Sequence, residues 1–122
     1  MTTSKYHNHY VKEDGYTFDS KAEAARYREL GLLEMAGEIS DLEVHPVYVL
    51  QPAFTDAHGT RFRAITYEAD FRYYERGVCV IEDVKGVETD AFRIKWALLA
   101  RQHPELDMRL IKSRGGWGWV AR

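Results

Sequence analysis

The sequence has little cysteine and no long apolar segment. Its single cysteine, Cys79, cannot form an internal disulfide, and no cysteine-based zinc site is possible. No apolar run is long enough for a transmembrane helix, and the first ten residues lack the apolar core of a signal segment. We therefore expect a cytoplasmic protein that does not enter a membrane.

Positive charge is not in excess either. Seventeen lysines and arginines stand against 19 acidic residues, for a net charge of −2. This balance speaks against a protein that coats nucleic acid non-specifically. It is compatible with an enzyme that gathers carboxylates in its active site and binds DNA through a local basic patch. The length of 122 residues predicts one domain, 1–122, with residues 1–9 loosely held.

The stretch 67–86 organises the chain as two strands joined by a tight turn at Arg76-Gly77. With a two-residue turn, antiparallel pairing sets Asp70 opposite Asp83, and Lys85 projects from the same face as Asp83. Two carboxylates and a cation are suited to holding Mg²⁺ and activating a water against a phosphate. Two alternatives stay open: the charges form a solvated face, or a three-residue turn shifts the register and separates the acids.

Two helices are predicted from caps and periodicity. Ser20 with Glu23 three residues later forms a capping box that begins a helix, which runs to about residue 36 and stops at Gly37. The capping box alone would explain Glu23. Thr89 or Asp90 begins a second helix that reaches about residue 102, with an apolar stripe of Phe92, Trp96 and Leu99.

Strands are predicted at 42–51, 60–74, 78–85 and 107–113, after a small hairpin at 10–18. Pro46 suggests an edge or a bulge in the first of them, and the second is long enough to bend. The first three strands make an antiparallel meander, and the fourth returns in parallel after the second helix. The predicted fold class is α/β, a mixed sheet with helices on its faces.

This order, with Asp70 and the triplet Asp83-Val84-Lys85, resembles the PD-(D/E)XK nuclease superfamily. That superfamily has a restriction-endonuclease-like αβββαβ core. More narrowly, the chain resembles a family of small phage and prophage proteins described only as a domain of unknown function or as endonuclease-like. The stretches that carry the resemblance are 5–8, 18–24, 37–42, 65–71, 82–86 and 92–95.

The resemblance implies a set of site residues. Asp70 matches the first metal-binding acid, Asp83 the acid of the triplet and Lys85 its lysine. Glu23 matches a helix-borne acid that serves as an additional metal ligand, and the carbonyl of Val84 completes the metal set. Glu82 is the alternative ligand beside Asp83, but strand alternation points it away from Asp70 and Lys85. It then needs a basic partner on the other face.

The implied function is hydrolysis of DNA phosphodiesters by a small phage-type endodeoxyribonuclease in the host cytoplasm, acting on branched, nicked or duplex DNA. Mg²⁺ is the expected cofactor, with Mn²⁺ as a substitute, and no small-molecule cofactor is expected. Lys95, Arg93, Arg61 and Arg63 are candidate phosphate contacts, with solvent-facing positions as the alternative reading. The histidines show no ligand spacing.

Two other functions compete with the nuclease. One is a catalytically inactive nucleic-acid-binding or assembly module with the same fold, and the other is a small α/β domain without a nucleic-acid role. The intact Asp70, Asp83 and Lys85 favour the enzyme. A homodimer is a further expectation, because a domain of this size covers little DNA alone, and Trp117 and Trp119 could serve its interface.

Overall fold

The computed structural model describes residues 10–113 and 119–121, without the side chains of 113 and 119–121. The expectations for residues 1–9 and for the two tryptophan side chains lie outside this part. The elements are β1 (Val11–Glu13), β2 (Tyr16–Phe18), α1 (Lys21–Met35), β3 (Ser40–Val44), β4 (Val47–Gln51), β5 (Phe54–Thr55), β6 (Arg61–Phe62), β7 (Ile65–Glu68), β8 (Phe71–Glu75), β9 (Val78–Val84), α2 (Asp90–Gln102), β10 (Asp107–Ser113) and β11 (Trp119–Ala121).

Both predicted helices form, and each begins directly after its predicted N-cap residue. The Ser20 hydroxyl accepts a hydrogen bond from the Glu23 N–H at 3.1 Å, and the Thr89 hydroxyl accepts one from the Phe92 N–H at 3.1 Å. These bonds satisfy N–H groups that the first helical turn leaves free. Neither helix in the described residues is long and apolar enough to cross a membrane.

The hairpin between β8 and β9 has the predicted two-residue turn. Arg76 and Gly77 both adopt positive φ, at 52° and 77°, which matches the twist of the strands they join. Glu75 pairs with Val78, and Phe71 pairs with Glu82 at the other end of the ladder. The ladder ends at this pair, where the Asp70 N–H also donates to the Glu82 carbonyl at 3.1 Å, so the predicted pairing of Asp70 with Asp83 lies one position beyond the ladder.

The two long predicted strands are each interrupted, which corrects the sequence-based boundaries. The stretch 42–51 divides into β3 and β4 at His45 and Pro46, and the stretch 60–74 divides into β6, β7 and β8. β3 pairs with β8, whereas β4 pairs with β7 in a separate two-stranded ladder. Proline cannot donate to a ladder, so the break falls where Pro46 removes an N–H.

A mixed five-stranded sheet lies at the centre, in the order β11-β10-β9-β8-β3. β9 and β10 are parallel and joined through α2, while β8 is antiparallel to β9 and to β3. Val80 packs with residues of α1 and Ile81 with residues of α2, so the helices cover opposite faces. The described chain is therefore mixed α/β with a mixed sheet and two helices.

Candidate metal centre

The site lies where the two interrupted strands bend, between β3 and β4 at His45-Pro46 and between β7 and β8 at Ala69-Asp70. The His45 N–H donates to the Asp70 carbonyl at 2.9 Å, and the Ala69 N–H donates to the Pro46 carbonyl at 3.0 Å. These two bonds connect the bends, so the chain leaves the central sheet at His45 and rejoins it at Asp70. His45 adopts φ of 57°, a conformation in which histidine is enriched among non-glycine residues.

Three candidate ligands converge at this break. One ligand atom from each of Glu23, His45 and Asp70 lies within 4.8 Å of the other two. Glu23 is buried in the first turn of α1, and its Oε1 lies 2.7 Å from His45 Nε2. The capping-box explanation of Glu23 is therefore incomplete, because its carboxylate binds His45 from a second element of the fold.

Asp83 and Lys85 adjoin this cluster at the end of β9. Asp83 is buried, and its Oδ2 accepts a hydrogen bond from the Tyr67 hydroxyl. Lys85 Nζ lies 3.0 Å from Asp83 Oδ1 and 4.8 Å from the centre of the Phe92 ring. Within the described residues, Oδ1 accepts no hydrogen bond of good geometry, so the ion pair with Lys85 is its close polar contact.

Asp70 is the most perturbed acid of the site. Burial raises its pKa to about 9, with the charges of Asp83 and Glu23 adding to the shift and the Val84 N–H opposing it. That N–H donates to Asp70 Oδ2 at 2.7 Å. Burial also raises the pKa of Glu23, against the stabilising contact of His45. The charge of Lys85 also opposes the rise in the pKa of Asp70, but it does not offset burial and the repulsion between the acids.

Lys85 keeps its proton. Burial alone would lower its pKa, but the neighbouring carboxylates, Asp83 first, outweigh burial and raise it. A lysine held in this way is a fixed positive charge and a hydrogen-bond donor.

The donor set fits a divalent cation. Two carboxylates and an imidazole are within reach of one ion, and the buried Asp83 Oδ1 offers a further oxygen beside them. Mg²⁺ and Mn²⁺ take carboxylate oxygens, and Mn²⁺ also accepts imidazole nitrogen. The structure therefore brings together the predicted Glu23, Asp70, Asp83 and Lys85, and the Val84 main chain holds Asp70.

Glu82 faces the opposite side of the sheet, where a basic residue was expected. Its Oε1 and Oε2 accept from Arg26 Nε and Nη2 at 2.8 and 2.7 Å, and Oε2 also accepts from the Tyr73 hydroxyl. This buried pair joins β9 to α1 and leaves Asp83 as the acid on the site's face.

The four predicted phosphate contacts lie on two different elements. Arg93 on α2 forms ion pairs with Asp90 at 3.3 Å and Glu88 at 3.9 Å. Lys95, also on α2, is half-buried. Arg61 and Arg63 are exposed in and after β6, and no described contact joins them to the metal centre.

Three further residues belong to the site. His45 and Tyr67 are described above, and Lys112 lines a cavity of about 250 Å³ with Lys85, Val84, Gly86, Ser20 and Ala22. The parallel pairing of Ile111 with Val84 places Lys112 beside Lys85. The predicted parallel return of the last strand could therefore have identified Lys112 as a neighbour of Lys85. The sequence gives no comparable indication for His45, because its distance along the chain from Glu23 and from Asp70 follows no ligand spacing.

Comparison with known proteins gives a family match. A family model described as a protein of unknown function, DUF1064, matches residues 3–115. No curated protein and no solved structure gives a significant match to the chain. The match spans nearly the whole sequence and includes every residue of the candidate metal centre, and the chain therefore belongs to the DUF1064 family.

Proposed function

We propose that this protein is a divalent-metal-dependent phosphodiesterase acting on DNA, an endonuclease of the PD-(D/E)XK type. The observation that carries the proposal is the convergence of the buried Glu23 with the half-buried His45 and Asp70, with Asp83 and Lys85 alongside. The order of α1, the antiparallel strands, α2 and the parallel β10 supports a restriction-endonuclease-like core.

The carboxylates of Glu23 and Asp70 would hold the ion with His45. Asp83, whose Oδ1 pairs with Lys85 at 3.0 Å, would be the additional acid beside this set. A bound Mg²⁺ or Mn²⁺ supplies Lewis-acid stabilisation of the phosphate and a water of lowered pKa. Asp70 must lose its proton to serve as a ligand, so the ion takes the place of that proton. The Val84 N–H holds Asp70 in position for this role.

Lys85 serves as a cation in this scheme. Because its pKa is raised, it does not act as a general base near neutral pH. Its ammonium group donates hydrogen bonds to a phosphate oxygen and offsets the negative charge that develops during attack by water. Phe92 and Asp83 fix the position of the ammonium group.

The cavity beside Lys85 is the proposed entrance for the phosphate. Lys85 and Lys112 line it together with Ser20 and Ala22, at the N-terminal end of α1. Each lysine also pairs with a carboxylate, Lys85 with Asp83 at 3.0 Å and Lys112 with Glu88 at 3.4 Å. The partial positive charge of a helix N-terminus adds to the attraction of the two lysines for an anion. A phosphate entering here would reach Lys85 first and then the acids behind it.

Cleavage assays test the proposal directly. A supercoiled plasmid and a synthetic four-way junction are incubated with Mg²⁺ or Mn²⁺ and with wild-type protein, Lys85→Ala or the control Lys12→Ala. Lys12 is exposed on β1, away from the metal centre. We expect metal-dependent cutting by wild type and the control, and a loss of at least about a hundredfold in Lys85→Ala.

Each other outcome has a defined meaning. Cutting that survives in Lys85→Ala would show a contaminant or a wrongly placed site. Folded wild-type protein that binds the junction without cutting it would replace the enzyme with a nucleic-acid-binding or assembly module. Preference for the junction over the plasmid would define the substrate as branched DNA.

A further inference from the structure

Residues 47–68 form a projection that we call the arm. It begins directly after His45-Pro46 and ends directly before Ala69-Asp70, so both ends of the arm are joined to ligands of the metal centre. β4 and β7 pair along its base, and β5 and β6 pair at its tip. The hydrogen bond from the Ala69 N–H to the Pro46 carbonyl closes the base.

The base of the arm is packed, whereas its tip is not. Leu50 and Tyr67 are buried in the same core as Phe92 and Leu99 of α2, and the Gln102 side chain donates to the Leu50 carbonyl at 2.8 Å. From residue 51 to residue 66, every residue is exposed except Asp56, which is half-buried. The arm is thus a ribbon held at one end and open to solvent along the rest.

The tip is a well-formed hairpin in spite of its exposure. The rings of Phe54 and Phe62 stack at 4.9 Å with an interplanar angle of 12°. Asp56 Oδ1 accepts from the N–H groups of His58 and Thr60, each at 2.9 Å, and this fixes the loop. An isolated two-stranded ribbon is marginal in water, so these contacts are needed to order the tip.

The two faces of the tip differ in charge. Phe54 pairs with Phe62 on one face, and strand alternation sends Arg61 to the other, while Arg63 follows directly after β6 and is exposed. In the described part of the chain neither arginine has a carboxylate partner, and the nearby Asp56 is committed to the loop. Arg76 and Arg101 are exposed and unpaired there as well, but they lie apart, whereas Arg61 and Arg63 lie two residues apart on one ribbon. Carboxylates pair with the other described arginines, Arg26, Arg28, Arg72, Arg93 and Arg109.

We propose that the arm is a clamp for the phosphate backbone of duplex DNA, beside the bond that the metal centre cuts; this rests on the proposed function. Exposed guanidinium groups without carboxylate partners match phosphate oxygens in charge and geometry. Val47 and Phe54 stand seven positions apart along the arm, through β4, Pro52-Ala53 and the start of β5, and an extended chain of this length spans on the order of 23 Å. Arg61 and Arg63 therefore engage phosphates about two thirds of a helical turn from the cut.

Binding measurements with an arm variant test this proposal. The probe is a fluorescein-labelled DNA duplex, followed by anisotropy in EDTA at salt concentrations between about 50 and 200 mM. Arg61→Gln/Arg63→Gln removes the two charges of the arm. Lys12→Gln/Arg76→Gln removes two exposed positive charges elsewhere and is the matched control.

We expect the arm variant to bind the duplex roughly three- to thirtyfold more weakly than wild type. Its slope of log affinity against log salt should be less steep by about 1.8, for two lost phosphate contacts. The control should keep the slope of wild type. Arg61→Lys/Arg63→Lys keeps the charges and should restore most of the slope, which separates phosphate contact from misfolding.

Failure of the arm is distinguishable from failure of the proposed function. An arm variant with the affinity and salt slope of wild type overturns the clamp. Wild-type protein that hydrolyses bis-p-nitrophenyl phosphate with Mn²⁺, but does not bind the duplex, also overturns the clamp and leaves the enzyme standing. Loss of duplex binding in the arm variant, together with hydrolysis that survives Lys85→Ala, supports the clamp and overturns the assigned site.

Discussion

Asp70 lies in a different electrostatic environment from the exposed acids of this protein. It is half-buried and has Asp83 and Glu23 nearby. Burial raises its pKa to about 9 from an ordinary 3.8. This shift favours the protonated form at neutral pH, so under the proposed function a metal ion would have to displace that proton.

We expect Asp70→Asn to stabilise the metal-free protein at pH 8 while it abolishes cleavage. At pH 8 the unfolded Asp70 is ionised and must take up a proton on folding, which the amide does not need, so the gain in the free energy of unfolding should be roughly 1–4 kcal/mol. Urea denaturation in EDTA measures it, with Asp90→Asn as the exposed control. A destabilised Asp70→Asn would show that the carboxylate itself holds the bend.

The pH dependence of stability has a definite sign. A carboxyl group whose pKa is raised on folding contributes stability that is complete below pH 3.8 and is lost as pH rises through about 9. The free energy of unfolding of the metal-free wild type should therefore fall across this window more steeply than that of Asp70→Asn. Parallel curves for the two proteins would contradict the shifted pKa.

His45 tests whether the metal centre includes a nitrogen ligand. His45→Gln removes the imidazole beside Glu23 and should weaken Mn²⁺ binding about ten- to hundredfold, as measured by isothermal titration calorimetry. His58→Gln changes an exposed histidine in the loop of the arm and should leave the affinity unaltered. Equal affinities in the two variants would remove His45 from the ligand set.

Among the elements, β9 carries two consecutive buried acids that face opposite helices. Glu82 binds Arg26 on the face of α1, and Asp83 binds Tyr67 and Lys85 on the face of α2. The first pair joins a helix to the sheet, and the second forms part of the site. Strand alternation separates the two tasks within a single element.

Breaking the pair on the α1 face should be costly. Arg26→Met leaves Glu82 buried without its guanidinium partner, so we expect a loss of about 3–5 kcal/mol in the free energy of unfolding by urea. Arg26→Met/Glu82→Met should recover much of that loss. Arg28→Met, which breaks an exposed pair with Glu13, should cost less than about 1 kcal/mol.

The tip of the arm should open independently of the rest of the fold. Phe62→Ala removes the stacking partner of Phe54 and should accelerate amide hydrogen exchange in residues 54–62, with little change in residues 71–84. Thr66→Ala on the base of the arm is the control. Faster exchange throughout the sheet would show that the tip and the sheet unfold together.

Much of the architecture was predictable from local signals. Ser20 and Thr89 marked the helix starts, and Gly77 marked a two-residue turn whose register brings Asp70 and Asp83 to the same end of the hairpin. The break at His45 was not predictable to the residue, since Pro46 indicated only an edge or a bulge. His45 and Tyr67 reach the site through tertiary packing, and their spacing in the sequence leaves no pattern.

For the whole molecule, we expect divalent ions to raise thermal stability, and to raise it more at pH 8 than at pH 6. The ion competes with the proton on Asp70, so its affinity should increase as pH approaches about 9. An ion at a hundredfold excess over its Kd adds about 2.7 kcal/mol. Melting temperatures of wild type and Asp70→Asn, with and without Mn²⁺, measure the effect.

A response to Mn²⁺ that is equal in the two proteins, or larger at pH 6, would contradict a centre built on Asp70. Melting with K⁺ at matched ionic strength controls for general screening.

The turn at Arg76-Gly77 governs a site that it does not touch. Five paired rungs separate it from Asp70 and Asp83, a distance of about 17 Å. One residue inserted in this turn would shift β9 by one position against β8, so Glu82 would face α2, whereas Asp83 and Lys85 would both face α1. A random screen for inactive variants should therefore recover insertions in a surface loop, in proteins that keep both helices and lose metal binding.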